Sequence, residues 1–190
     1  MNEAKRNECM LDPLVGLPPV LDACCGKKAM WFDKQDERAV FVDKRSETVR
    51  PDKRPGRKPW VIDPDHVADF TALPFPSDTF ALVVFDPPHV SFGKTSFMAA
   101  MYGRLEGDWR DMLRQGFAEC FRVLRPEGVL VFKWNEMEHR LPDILALTPE
   151  KPLFGHKTGR ATGTHWVCFM KPNSPIGLKT DSKHRKEATR

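Results

Sequence analysis

The chain has 190 residues and a mass of 21.8 kDa, which is enough for one domain with a hydrophobic core and too little for a second full domain. Hydrophobic residues make up 41% and charged residues 29%, a balance that indicates a globular body and excludes a fibrous or wholly disordered chain. No apolar stretch reaches the length of a signal peptide or a membrane span, so we expect a cytoplasmic protein with no membrane partner.

The net charge of +4 is unevenly distributed. Segment 44–58 has seven basic and two acidic residues, and segment 171–190 has six basic and two acidic residues, so their net charges are +5 and +4 and the rest of the chain carries −5. Basic segments on an acidic body are typical of nucleic-acid-binding proteins, and we predict that Arg54 and Arg57 contact phosphates. Solvated loops kept soluble by their charge are the alternative interpretation.

Three regions are predicted along the chain. Residues 1–19 form an amino-terminal extension, residues 20–171 form the folded domain, and residues 172–190 form a basic tail that is expected to be disordered.

Within the folded domain, short apolar runs alternate with polar or helical stretches. Continuous apolar runs are typical of strands that are buried on both faces of a parallel sheet. An amphipathic helix is predicted between the last two runs, capped by Asp108 and ended by Arg125 and Pro126. Segments 152–154 and 164–170 flank a turn-rich stretch and predict an antiparallel hairpin. The fold class is therefore α/β, a mostly parallel sheet closed by a carboxyl-terminal hairpin. The predicted strands lie at 20–21, 39–42, around 67, 80–85 and 128–132.

An acidic residue follows each of the first four predicted strands: Asp22, Asp43, Asp69 and Asp86. In an open parallel sheet, ligands bind at the carboxyl ends of the strands. Four carboxylates at one edge repel each other, so a bound ligand with a positive charge and hydroxyl groups would explain them.

Segment 22–28, Asp-Ala-Cys-Cys-Gly-Lys-Lys, resembles the first motif of the S-adenosylmethionine-dependent methyltransferases, which have a Rossmann-like fold. In that family an acidic residue and a glycine turn let the backbone approach the methionine part of the cofactor. The resemblance implies that Asp22, Cys24 and Gly26 bind S-adenosylmethionine. The sequence departs from the family at Lys28, where a second glycine is usual.

Two further segments resemble cofactor-binding segments of the same family. Asp43 corresponds to the acidic residue that accepts hydrogen bonds from the ribose hydroxyls. Asp69 and Phe70 are similar to the segment that holds the adenine, with a carboxylate for its amino group and an apolar surface for its ring. Either acidic residue could instead be an ordinary turn residue at a strand end.

The segment Asp86-Pro87-Pro88-His89 resembles the catalytic tetrad of adenine-N6 DNA methyltransferases, including those of phage or prophage type. In these enzymes two prolines follow Asp, Asn or Ser and precede an aromatic residue. The resemblance implies that Asp86 and the carbonyl of Pro87 accept hydrogen bonds from one exocyclic amino group, while His89 stacks on a base taken out of its helix. A Pro-Pro turn that ends a strand is the alternative.

Three side chains after the fifth strand are candidate substrate contacts, because they offer a cation, a stacking surface and an amide. These are Lys133, Trp134 and Asn135, of which Trp134 could equally belong to the core. The histidines and cysteines lack metal-ligand spacing, so no metal site is predicted.

We therefore predict methyl transfer from S-adenosylmethionine to an exocyclic amino group. Adenine N6 in DNA is favoured because the glycine motif precedes the Asp-Pro-Pro motif and because the tetrad begins with Asp. RNA or a protein side-chain amide are alternative substrates, and a non-catalytic nucleic-acid-binding module with the same fold is an alternative function. The sequence predicts no oligomeric state.

Overall fold

The structure, a computed structural model, describes residues 16–50, 58–91, 99–100, 103–158 and 163–173. These ranges contain a seven-stranded sheet, a two-stranded ribbon and two helices with defined bounds. Residues 99–100 are also helical. The elements are β1 Val20–Asp22, β2 Ala39–Asp43, β3 Glu47–Val49, β4 Trp60–Ile62, β5 His66–Val67, β6 Phe80–Phe85, α1 Trp109–Val123, β7 Leu124–Asn135, α2 Leu141–Leu145, β8 Phe154–Thr158 and β9 Thr164–Met170.

The strand order of the sheet is β5-β2-β1-β6-β7-β9-β8. The first five strands are parallel, and β9 runs antiparallel to both β7 and β8. The predicted fold class is therefore confirmed. The strand order changes direction between β1 and β6, so the carboxyl ends of these two strands border the crevice where open α/β sheets bind ligands.

The predicted helix and hairpin are also present. Asp108 caps α1 by accepting a hydrogen bond from the backbone N of Asp111 at 3.1 Å. The helix ends at Val123, slightly before the predicted stop, because β7 begins at Leu124. In the hairpin, β9 matches its predicted range, whereas β8 lies at Phe154–Thr158 and not at 152–154.

Aromatic side chains fill the core between α1 and the sheet. The ring of Phe117 on α1 lies 5.4 Å from the ring of Phe85 and 4.9 Å from the ring of Phe132. Gly116 allows this close approach, since a Cβ there would lie only 2.7–2.8 Å from ring atoms of Phe70 and Phe85. Phe85 at the end of β6 and Phe132 near the end of β7 are thereby closely packed beneath the carboxyl edge of the sheet.

Two features were not predicted. The chain between β1 and β2 forms turns and no helix, and β3 and β4 form an antiparallel ribbon with Thr48 opposite Val61. No strand was predicted in this part of the chain, because the ribbon strands have only three residues each and border a segment rich in Pro, Lys and Arg. No helix in the described ranges is long and apolar enough to cross a membrane.

Candidate active site

Four predicted site residues lie together at the carboxyl edge of the sheet. Asp22 ends β1, Asp43 ends β2, Asp86 directly follows β6, and Lys133 is near the end of β7. The strands β6 and β7 pair with Phe85 opposite Phe132, so the next residues along each strand, Asp86 and Lys133, are neighbours. Burial is the main cause that raises the pKa of Asp22, and repulsion by the nearby Asp86 and Asp43 adds to it.

A narrow cleft of about 20 Å³ opens at this edge, well below the roughly 300–1,000 Å³ of most small-molecule sites. Three of the predicted cofactor contacts, Cys24, Asp43 and Phe70, line it together with Pro88 of the predicted tetrad. Larger clefts beside residues 27–37 and beside β8 contain none of the predicted site residues. The cleft at the strand ends is therefore the candidate site.

The glycine turn after β1 is tied to the end of β2. Gly26 has a φ of +51°, a conformation that favours glycine, and its backbone N donates to Oδ2 of Asp43 at 2.8 Å. Oδ1 of Asp43 accepts hydrogen bonds from the backbone N of Arg45 at 2.9 Å and from its Nε at 3.3 Å. A carboxylate offers about four lone-pair sites, so three donors leave capacity for a ligand hydroxyl.

Lys28, where the sequence departs from the family, also has a positive φ of +55°. A glycine would adopt this backbone conformation without strain. The lysine side chain makes two contacts there: its Nζ lies 3.9 Å from the centre of the Phe41 ring and donates to the carbonyl of Lys34 at 3.1 Å. The turn is therefore kept in spite of the missing glycine.

Asp22 is fully buried, and its partners belong to the protein. The indole Nε1 of Trp31 donates to Oδ2 at 2.7 Å, and the backbone N of Cys24 donates to Oδ1 at 3.3 Å. Burial raises the pKa of Asp22 to about 7, in spite of these two hydrogen bonds. The prediction that Asp22 contacts the cofactor is corrected, because this carboxylate is enclosed and accepts hydrogen bonds from Trp31 and Cys24 in the turn that follows β1.

Asp69 matches the alternative interpretation of a turn residue. Its Oδ1 accepts hydrogen bonds from both the backbone N and the Oγ1 of Thr71, each at 2.9 Å. Phe70, by contrast, is buried and lines the cleft, as expected for a surface beneath an adenine ring.

Asp86 and Lys133 form an ion pair, with Nζ 2.5 Å from Oδ2. Their side chains are 10% and 21% exposed, so water screens the pair only weakly. Burial raises the pKa of the Asp86 carboxyl above its usual value, and the charge and hydrogen bond of Lys133 oppose that rise. The two prolines that follow are buried. Lys133 was predicted to contact the substrate, and in the structure it contacts the predicted catalytic carboxylate.

The two predicted stacking surfaces are not exposed. The ring of His89 is only 6% exposed, and burial together with the nearby Lys133 lowers its pKa to about 4. Trp134 is completely buried, and its Nε1 donates to the carbonyl of His139 at 2.9 Å. The prediction that Trp134 faces a nucleotide is wrong. The alternation of Leu130, Phe132 and Trp134, all fully buried, carried the signal that Lys133 and Trp134 lie on opposite faces of β7.

The amide of Asn135 makes bonds within the protein. Its Nδ2 donates to Oγ1 of Thr164 at 3.1 Å, and its Oδ1 accepts from the backbone N of Met137 at 3.0 Å. The bond to Thr164 joins the end of β7 to the start of β9, and the half-buried Asn135 stays a predicted substrate contact. Arg54 and Arg57 lie outside the described residues.

Contacts that the sequence did not predict anchor the segment after the tetrad. The backbone N of Ser91 donates to Oε2 of Glu138 at 2.6 Å, and its Oγ lies 2.8 Å from Nε2 of His139. The His139 ring stacks on Trp109 at the start of α1, with 4.2 Å between the ring centres. Local sequence gave no signal for these contacts, because 47 and 48 residues separate Ser91 from Glu138 and His139.

Solved structures with a similar fold include the PH0226 protein from Pyrococcus horikoshii, with a TM-score of 0.54 and 17% identity over 80% of this chain and 81% of that chain. A SAM-dependent methyltransferase from Methanosarcina mazei matches with a TM-score of 0.52 and 14% identity over 82% and 92% of the two chains. The 1,6-didemethyltoxoflavin-N1-methyltransferase from Burkholderia thailandensis, whose structure contains S-adenosylhomocysteine, has the same TM-score and 14% identity over 80% and 70%.

No protein-family model matches the sequence, and no curated protein matches it. The similar structures and the strand order establish that the chain has the Rossmann-like fold of SAM-dependent methyltransferases. This confirms the fold that the sequence resemblance implied.

Proposed function

We propose that this protein is an S-adenosylmethionine-dependent methyltransferase that acts on an exocyclic amino group, with adenine N6 in DNA as the favoured substrate. The observation that carries the proposal is the position of Asp86, Pro87 and Pro88 at the end of β6, where Pro88 lines the same cleft as Asp43 and Phe70. The fold shared with SAM-dependent methyltransferases supports the same activity.

The residues around the cleft fit the chemical groups of S-adenosylmethionine. Asp43 would accept a hydrogen bond from a ribose hydroxyl, and Phe70 would lie against the adenine. The turn at Gly26 and Cys24 would lie beside the methionine part. When bound, the cofactor supplies a methyl group on a positively charged sulfur, which keeps the electron pair of the broken C–S bond while the new N–C bond forms.

The chain itself would position the amino group. The carboxylate of Asp86 and the carbonyl of Pro87 would accept its two N–H hydrogen bonds, which draws the nitrogen lone pair away from the ring and toward the methyl group. Two consecutive prolines restrict the backbone of this segment, so both acceptors keep their direction. The nitrogen loses one proton to solvent after transfer. Positioning and hydrogen bonding are therefore the main contributions of the protein.

A small heterocyclic amine is the second candidate substrate. It is favoured by the burial of His89 and Trp134, the two aromatic side chains assigned to stacking on a base. The similar methyltransferase from Burkholderia thailandensis was solved with 1,6-didemethyltoxoflavin bound. DNA remains the first candidate because of the tetrad and of the basic segment 44–58.

The experiment is incubation of the full chain with labelled S-adenosylmethionine and, separately, DNA free of adenine methylation, RNA, protein extract and a panel of heterocyclic amines. Mass spectrometry of the products should detect N6-methyladenine in the DNA digest. Methylation of an amine alone would favour the second candidate. Tight binding of S-adenosylmethionine without transfer to any of these substrates would contradict the proposed activity.

The nucleic-acid partner has a separate test, charge reversal of Arg54 and Arg57 to Glu. Binding that releases counterions from phosphates weakens as the salt concentration rises, so the double variant should bind DNA more weakly and with a flatter salt dependence. Arg125→Glu is the control, because Arg125 is exposed near the start of β7, at the opposite edge of the sheet. If DNA binding by the parent protein, the double variant and Arg125→Glu depends equally on salt concentration, segment 44–58 is a solvated loop and does not contact DNA.

A further inference from the structure

We propose that Lys133 is a positioning residue for methyl transfer: its ammonium fixes the Asp86 carboxylate through Oδ2, so that Oδ1 accepts the hydrogen bond of the substrate amino group. This inference rests on the proposed function and extends it to a residue outside the Asp-Pro-Pro-His segment.

The geometry of the pair is set by two paired strands. Phe85 and Phe132 are opposite each other in the parallel register of β6 and β7, and both are fully buried. Asp86 and Lys133 are the next residues along each strand, and their side chains meet at 2.5 Å. Because both backbones are held by the sheet, this contact requires little additional ordering, unlike an ion pair between two exposed side chains.

The charged and titratable groups around Asp86 come from three elements. Lys133 faces it from β7, Asp22 and Cys24 interact with it from β1 and the following turn, and His89 follows it in its own segment. Asp22 adds negative charge when it is ionised, and His89 is neutral at pH 7 because its pKa is lowered to about 4. Lys133 therefore supplies the positive charge that offsets the burial of Asp86.

The ionisation of Asp86 matters for its proposed role. A carboxylate only accepts hydrogen bonds, whereas a protonated carboxyl also donates one and accepts less strongly. Burial favours the protonated form, and Lys133 opposes it. Removing the ammonium should thus raise the pKa of Asp86 and shift the loss of activity at acid pH to higher pH.

A purely structural ion pair is the competing account. Buried ion pairs often contribute little net stability, because desolvation offsets their attraction. Stability alone would therefore not separate the two accounts. The two accounts are separated by the pH dependence of turnover and by the separate changes in kcat and KM. A purely structural ion pair would leave the pH dependence, kcat and KM unchanged in a variant that still folds.

The test compares Lys133→Met and Lys133→Arg with the parent protein, after circular dichroism confirms folding. Lys133→Gln replaces Lys133→Met if the latter does not fold. Lys157→Met is the matched control, because Lys157 forms a similar ion pair with Glu136 near the exposed edge of the sheet. Turnover is measured from pH 5 to pH 9 on the substrate identified above, and the carboxyl resonance of Asp86 is titrated by carbon NMR without substrate.

We expect Lys133→Met to lower kcat at pH 7 roughly 10- to 100-fold, the scale of a misplaced reacting group, with a smaller change in KM. The acid limb of its pH profile and the NMR midpoint of Asp86 should both move to higher pH, and Lys133→Arg should restore much of both. Parental turnover or an unchanged midpoint in Lys133→Met would overturn this inference alone. A parent protein that binds S-adenosylmethionine but methylates no substrate would overturn the proposed function, and this inference with it.

Discussion

Asp22 and Asp86 lie at the ends of the neighbouring strands β1 and β6, and both carboxyl groups are removed from water, but their partners differ in kind. Asp22 is held by two neutral donors, the indole of Trp31 and the backbone N of Cys24, and its pKa is raised to about 7. Asp86 is held by the ammonium of Lys133. Neutral donors orient a carboxylate without offsetting its charge, whereas an ammonium does both. This difference supports the proposal that Asp22 stabilises the turn and that Asp86 takes part in methyl transfer.

Replacement of Asp86 should have the largest effect. If its carboxylate stabilises the substrate amino group mainly in the transition state, Asp86→Ala should lower the single-turnover rate by roughly 10²–10³-fold. Asp86→Asn keeps one oxygen acceptor and should retain more activity. The rates are measured with saturating S-adenosylmethionine. If Asp86→Ala transfers methyl groups at the rate of the parent protein, the Asp-Pro-Pro-His segment is only a turn that ends a strand and has no catalytic role.

The raised pKa of Asp22 predicts a pH-dependent stability. The folded state keeps the Asp22 proton up to about pH 7, whereas the unfolded chain releases it near 3.8, so folded molecules bind more protons between these values. This group should therefore lower the free energy of unfolding as pH rises from 4 to 7, by at most about 1.4 kcal/mol per pH unit. Urea unfolding at several pH values should give a flatter curve for Asp22→Asn.

Asp143→Asn is the control for that titration, since it removes one exposed carboxylate from α2. If Asp22→Asn and the parent protein show the same pH dependence, Asp22 is ionised in the folded state well below pH 7, and the contrast with Asp86 disappears.

Trp31→Phe should have a smaller effect that depends on pH. The substitution removes the indole donor to Asp22 and keeps a ring against Phe41, whose centre lies 4.8 Å from that of Trp31. The expected loss is about 1–3 kcal/mol in the free energy of unfolding. It should be greater at pH 8, where the carboxyl group is ionised, than at pH 5. An equal loss at both values would indicate lost packing and not a lost hydrogen bond.

Lys28 should show the smallest effect, because two contributions oppose each other. Lys28→Gly should remove the backbone strain of a non-glycine residue in the left-handed conformation, which is roughly 1–2 kcal/mol. The same substitution removes a cation–π contact of about 0.5–1 kcal/mol and makes the unfolded chain more flexible. We expect a net change within about 1 kcal/mol by chemical denaturation. Lys28→Ala keeps the strain and loses the contact, so it should be less stable than Lys28→Gly. The reverse order would contradict the assigned strain.

The comparison also separates what the sequence could predict from what it could not. The strand ends at Asp22, Asp43 and Asp86 and the helix capped by Asp108 depend on patterns within a few consecutive residues. Such patterns are visible in the sequence because burial repeats with the period of the element.

The partners of those carboxylates were not predictable in the same way. Lys133 is 47 residues from Asp86, and the Ser91–His139 contact spans 48 residues, so both depend on how the strands and loops meet. Trp31 is only nine residues from Asp22, but it lies in a turn without a periodic pattern. Trp134 is different, because the period-2 pattern of β7 already assigned it to the buried face.

The most direct test of the division between cofactor binding and transfer is calorimetric titration of S-adenosylmethionine into Asp43→Ala and Asp86→Ala, with folding checked for both. Asp43 is assigned to the ribose, so its loss should weaken binding by about 10-fold or more, the scale of one charge-assisted hydrogen bond. Asp86 is assigned to the substrate amino group, so its loss should change cofactor affinity far less. Unchanged affinity in Asp43→Ala together with a large loss in Asp86→Ala would contradict the account.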